Sequence, residues 1–112
     1  MIVLDWGHHY EIEQLDNPDE SKQKIVFVKR YCGFDNHPGT TNQELLRVLI
    51  SRVQFLENQL SWIGNEQIIH HLRMALVLHE ARALIRKVEK HQLNPENIAI
   101  NKKDGHFILT KI

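Results

Sequence analysis

The stretch from Gly39 to Leu60, GTTNQELLRVLISRVQFLENQL, most constrains what this chain can fold into. Thr41 followed by Glu44 makes a capping box. The Thr hydroxyl accepts an orphan amide proton of the first turn, and Glu44 reaches back to the cap amide. Thr40 with Gln43 repeats the pattern one residue earlier. A helix of about 18 residues follows, longer than the globular average. Its apolar residues fall on two lines rather than one. Leu45, Leu49 and Leu56 follow the first, with Arg52 interrupting it, and Leu46, Ile50 and Val53 follow the second. A surface helix needs a single apolar stripe, so this one predicts more than one packing partner.

The break at Ser61–Asn65 places Gly64 as a helix stop and Asn65 as the next N-cap. A second helix is expected from about Glu66 to about Lys90, and it too is apolar over a wide arc. Ile69, Leu72, Leu76 and Ala83 mark one line; Met74, Leu78, Ala81, Ile85 and Val88 mark another. So short a connection makes the two helices antiparallel neighbours.

The flanks read as β structure. HYEIEQL and KIVFVK carry alternating or β-branched residues, and Asp16–Ser21 between them is dense in turn formers, so the two runs predict an antiparallel pair. IVLDW near the N-terminus is a further strand candidate. Tyr31–Gly39 reads as a linker. In the tail, Asn94–Asn97 is a turn, and Asp104-Gly105 joins two short strands. The expectation is a single α+β domain: a β region over 1–30, a helical hairpin over 41–90 and a C-terminal β-hairpin over 97–112.

Charge narrows the partners. Lys plus Arg equals Asp plus Glu at 14 each, so no overall basic field draws a DNA or RNA duplex or a membrane surface. Cys32 is the single cysteine, which rules out an intramolecular disulfide and a thiolate zinc cage and fits a reducing compartment. The apolar run at the N-terminus is too short for a signal peptide, and none approaches a membrane span. The expected location is the cytoplasm.

Eight histidines raise the question of a metal. His8-His9 on a strand would point to opposite faces, and His70-His71 on a helix would diverge, so neither pair chelates. No nucleophile elbow, P-loop or G-x-G-x-x-G is present, and Cys32 with His37 nearby does not by itself make a catalytic pair. The chain reads as a binding protein, with no catalytic residue, metal or cofactor. One constellation is better. His79, Arg82, Arg86 and Lys90 recur at spacings of three, four and four, along one line of the second helix; from charge pattern alone this line also reads as a solvated face with Glu80 and Glu89 as neighbours. Arginine suits phosphate because its planar fork bonds two oxygens at once. Among the aromatics, Phe55 reads as core, and Trp62 at the hairpin tip is the freer candidate for stacking on a base.

The phrases GTTNQELLRVLISRVQFLENQL, Asn65, HLRMAL, and Arg82 with Arg86 resemble the helical hairpin of the phage anti-CBASS and anti-Thoeris nucleotide sponges. In that family the first helix opens Gly-Thr-Thr-Asn and carries Arg and Phe-Leu at the positions of Arg52 and Phe55-Leu56. The second carries a His/Lys-Leu-x-x-Ala-Leu stretch, here His71-Leu72 and Ala75-Leu76, and then an Arg-Thr-x-x-Arg element, here Arg82 and Arg86. YEIEQLDNPDESKQKIVFV looks like the β-hairpin that precedes the helices in the anti-Thoeris branch. The chain departs from the family at Ser61-Trp62, where Pro-Cys is common, and at Ala83, where Thr is usual. The Gly-containing tail of the family is replaced by Glu89–Ile112.

The resemblance implies a phage protein that acts in the host cytoplasm. It would bind and sequester, without cleaving it, the cyclic nucleotide signal of a bacterial defence system. In the anti-Thoeris branch that signal is a cyclic ADP-ribose isomer made by a TIR-domain enzyme; relatives bind cyclic oligonucleotides. It further implies a homo-oligomer, a dimer or higher, with ligand held between protomers. With the cationic line of the second helix, it gives as expected ligand-binding residues Arg82, Arg86, Thr40, Thr41, Asn42, Arg52 and His79. The alternatives are a structural dimerisation module with no small ligand and a protein-binding inhibitor of a host partner.

Overall fold

A computed structural model describes residues 1–17, 22–30 and 35–89, and the backbone of 98–100 and 107–109. The architecture is α+β. In order the elements are β1 (Ile2–Asp5), β2 (His9–Ile12), β3 (Gln23–Val26), α1 (Asn42–Gln59), α2 (Ile63–Glu89), β4 (Ile98–Ile100) and β5 (Phe107–Leu109). They fall into two compact units, Met1–Thr41 and Asn42–Ile112. Pro18, the linker residues Tyr31 to Phe34 with Cys32, Lys90, and the expected turns at Asn94–Asn97 and Asp104-Gly105 lie outside the described residues.

The first unit is a three-stranded antiparallel sheet in the order β1-β2-β3. The IVLDW candidate is therefore a strand. Glu11 faces Lys24 directly across the β2–β3 ladder, a favourable opposite-charge pair. β2 ends at Ile12, short of the alternation that ran on to Leu15, and Leu15 is fully outside at 95% exposure. The β1–β2 turn needs Gly7, whose φ of 86° disfavours any side chain. Its amide donates to the Tyr10 hydroxyl at 2.7 Å, and Tyr10 meets Phe27 edge to face at 6.0 Å. His8 sits in this turn rather than on the strand, and β2 begins at His9.

After β3 the chain stays paired with its own downstream segment. Phe27 bridges Thr40 in parallel, and Lys29 bridges His37 in antiparallel sense. The Thr40 amide donates to the Val26 carbonyl at 2.8 Å, and the Val28 amide donates to the Thr40 carbonyl at 3.0 Å. Gly39 makes this approach possible: a Cβ there would lie 2.5–2.6 Å from backbone atoms of Val26, Phe27 and Val28.

The second unit is built on the α1–α2 hairpin. Helix α1 starts at Asn42, which puts Thr41 at the N-cap, as the capping box requires. Glu44 in its first turn complements the positive end of the helix dipole. Leu76 is wholly buried and Ile50 nearly so, with Leu46, Val53, Ile69 and Leu72 half-buried around them. One of the two apolar lines of each helix is therefore the hairpin seam. The other line is outside: Leu49 on α1, and Met74, Leu78 and Ile85 on α2, are 49–68% exposed.

The hairpin tip differs from the sequence expectation. Helix α2 begins at Ile63, so Gly64 and Asn65 lie in its first turn rather than acting as stop and cap. Asn65 is buried and donates through Nδ2 to Glu57 Oε2 at 2.8 Å. The same carboxylate accepts from the Ser61 hydroxyl at 2.5 Å and the Trp62 amide at 3.1 Å. Glu57 therefore reaches across from α1 to cap α2, replacing the local cap. The Trp62 ring lies against Gly64, where a Cβ would overlap it. Where the chain folds back, β4 pairs antiparallel with β5, and β5 neighbours α2.

Two predictions follow from these contacts. The donors Ser61, Asn65 and Trp62 hold the Glu57 carboxyl below its ordinary value of 4.5. A carboxyl depressed in the folded state stabilises fully above its unfolded value, and the contribution is lost as pH falls through the folded one. The melting-temperature gap between the parent and Glu57→Gln should be widest at neutral pH and narrow as the pH falls below the ordinary carboxyl value of 4.5; a gap independent of pH would refute this role. Gly39→Ala forces apart the segments paired at Thr40, and thermal melting should show a loss of more than 1 kcal/mol, roughly the cost of a local clash with backbone.

Candidate functional site

The Arg47 guanidinium donates to Glu80 Oε1 at 2.9 Å across the hairpin and approaches Glu44 Oε2 at 3.4 Å. This contact sets which flanks of the two helices adjoin. At about 100° per residue, Arg47 lies about 60° to one side of Ile50 on α1. Glu80 lies about 40° to the corresponding side of Leu76 on α2, by the same count. The opposite flanks therefore share the other broad face. On it stand Asn42, Leu49 and Leu56 from α1, and Ile68, His79, Arg82 and Arg86 from α2. One face of the hairpin carries the Arg47 pairing with Glu80 and Glu44. The other is apolar with a cationic end.

Axial position then decides which residues are level. The helices rise about 1.5 Å per residue and run antiparallel. Asn42 and Arg86 each lie roughly 8 Å from the Arg47–Glu80 pair toward the open end, with Arg82 roughly 3 Å from it. The open end thus gathers the first turn of α1, Asn42, Arg82 and Arg86 on one face. Arg82, Arg86 and Asn42 are all exposed. No carboxylate among the described residues is paired with Arg82 or Arg86, whereas Arg47 on the opposite flank is engaged by two. His79, half-buried, lies on the same face one turn nearer the tip.

The remaining expected residues are placed elsewhere. Arg52 points almost directly away from the α1–α2 seam, and its guanidinium stacks over Phe55 at 5.6 Å. It lies roughly 10 Å along the hairpin from the level of Arg82. Phe55, expected in the core, is 51% exposed, because α2 covers the flank of Ile50 and leaves that of Phe55 open. Thr40 and Thr41 close the first unit. Thr40 is half-buried, with its backbone committed to the Val26 and Val28 pairing. Thr41 is exposed at the cap position. The Gly-Thr-Thr-Asn phrase thus has a structural task at each position: close approach, strand pairing, N-cap and helix start.

A second polar cluster escaped the sequence reading. Asp5 Oδ2 lies 3.3 Å from Lys29 Nζ and 3.6 Å from His8 Nδ1, and the His8 and His37 rings meet edge to face at 6.3 Å. The turn at Gly7 and the Lys29–His37 bridge bring these residues together from three segments, so no spacing in the sequence signals them. No group of three or more His, Cys, Asp or Glu among the described residues is placed to hold a metal ion. No helix among them is long and apolar enough to cross a membrane.

Comparison with known protein families, with curated proteins and with solved structures returns no match for this chain.

Proposed function

We propose that this chain binds a compact nucleotide anion at the open end of its helical hairpin and sequesters it without cleavage. The ligand class is a cyclic ADP-ribose isomer of the kind a TIR-domain defence enzyme makes. The observation that carries this reading is the grouping of Arg82, Arg86 and Asn42 with the first turn of α1 on one exposed face. Amide protons at a helix N-terminus favour phosphate oxygens, and two guanidinium forks beside them supply charge-assisted bonds. Leu45 and Leu49 on the adjoining surface of α1 offer apolar contact to a purine ring. The resemblance of the Gly-Thr-Thr-Asn opening and the Arg-x-x-x-Arg element to the nucleotide sponges supports the same ligand class. A face this open encloses a ligand once a second protomer covers it, which fits an oligomeric sponge.

The alternative is a dimerisation module with no small ligand. Its support is the exposed apolar side chains alone, among them Val48, Leu49, Phe55, Met74, Leu78 and Ile85.

Calorimetric titration with a cyclic ADP-ribose isomer separates the two. Removing one charge-assisted contact costs about 1.5–3 kcal/mol, so Arg82→Ala and Arg86→Ala should each weaken binding about ten- to a hundredfold. Arg82→Lys should also weaken it, because a point charge cannot reproduce the fork. Mass spectrometry of ligand released by heat should recover it intact, and degraded products would instead indicate an enzyme. Variants that stay folded by circular dichroism and bind like the parent would leave the arginines as a solvated face.

A further inference from the structure

The tip of the hairpin presents three large apolar side chains within four residues. Leu60, Trp62 and Ile63 are 79%, 60% and 77% exposed, and they span the connection from α1 to the first residue of α2. Their backbone is fixed. The Leu60 amide donates to the Leu56 carbonyl at 3.0 Å, and the Asn65 amide donates to the Trp62 carbonyl at 3.0 Å. Glu57 accepts from the Ser61 hydroxyl and the Trp62 amide between them. Gly64 leaves the space in which the Trp62 ring rests. A connection that had only to reverse the chain would take polar turn residues. This one holds exposed apolar groups in a single arrangement. A surface ordered before contact loses less entropy on binding, and tryptophan is enriched among the residues that dominate protein contacts.

Charge decides what such a surface fits. From Val53 to Leu72 the chain has no Lys or Arg, and its acids are Glu57 and Glu66. Neither is in an ion pair among the described residues. Neutral donors bind Glu57 and hold its carboxyl below the ordinary value, so it keeps its charge. The negative end of α1 and the positive end of α2 meet here and offset one another, which leaves the two carboxylates to set the sign. Attachment to an anionic lipid surface draws on Lys and Arg, and so does attachment to a nucleic acid. The tip offers neither. Its complement is an apolar pocket with cations at the rim, which is the chemistry of a protein cleft.

We infer that the hairpin tip is a docking surface for another protein, seating Leu60, Trp62 and Ile63 in an apolar pocket rimmed by Lys or Arg. The tip lies roughly 28 Å along α2 from Arg82. The contact therefore uses none of the residues proposed to hold the nucleotide, and it stands or falls without that reading.

Fluorescence of the full chain with Trp6→Phe tests it, because Trp62 is then the single tryptophan. Titration with a synthetic amphipathic helix of Leu and Lys should shift its emission to the blue and saturate. The same helix with Glu in place of Lys should bind at least about tenfold more weakly, since like charges oppose one another. Raised salt should weaken the Leu–Lys helix. Leu60→Ser and Ile63→Ser, at exposed positions that folding tolerates, should each weaken it about tenfold or more, with circular dichroism unchanged. Equal binding of the two helices, or undiminished binding by the serine variants, would overturn the proposal, as would the absence of any shift. A blue shift on phosphatidylcholine vesicles would assign the tip to a bilayer instead. A blue shift of the protein alone as its concentration rises would assign it to a second copy.

Discussion

One carboxylate sets the geometry of the helical unit. Glu57 gathers the Ser61 hydroxyl, the Trp62 amide and the Asn65 amide group, which come from the connection and the first turn of α2. A negative charge there also meets the positive end of the α2 dipole. α1 has no basic residue in its last turn, so the chain instead uses an acid of α1 to organise the start of α2. The short loop then has no slack. Toward the open end, the Arg47–Glu80 pair joins the two helices on one flank.

With the helices so joined, each can bury only one of its two apolar lines. Ile50 and Leu76 go inward, while Leu49, Met74, Leu78 and Ile85 face out. The ionic pairing is confined to the Arg47 flank, which leaves Arg82 and Arg86 without a carboxylate partner among the described residues on the other. A cation left unneutralised beside apolar surface suits a ligand that carries both phosphate and a planar ring. This is the arrangement on which the proposed nucleotide reading depends.

The end of the first unit is held by a different device. The backbone of Thr40 is held between Val26 and Val28, and Gly39 lets it come that close because it has no Cβ. The next residue is already the helix cap. A phrase that reads as a ligand motif in the sequence is therefore also the tightest backbone junction of the first unit. Nearby, Asp5 joins Lys29 and His8 across the open side of the β1–β2 turn.

Much of the fold was legible because it depends on local rules. The capping box at Thr41, with Thr40 as the alternative one residue earlier, placed the start of α1 within a residue, and the paired apolar lines on both helices were each real, since helical periodicity is a property of the chain alone. The β1–β3 strands followed from β-branched content and turn formers, though β2 ended early at Ile12. The spacing of Arg82 and Arg86 likewise put them on one line without any structure. Other features depended on contacts that no local window contains. Asn65 reads as an N-cap, yet Glu57 across the loop binds its side chain and draws α2 back to Ile63. Phe55 reads as core, yet α2 packs on the flank of Ile50 and leaves Phe55 51% exposed. The sequence could say that each helix had two apolar lines, but which line is buried is a choice between near-equal faces. Only the packing of one helix on the other, with Ile50 and Leu76 buried in the seam, decides between them, and that packing is tertiary.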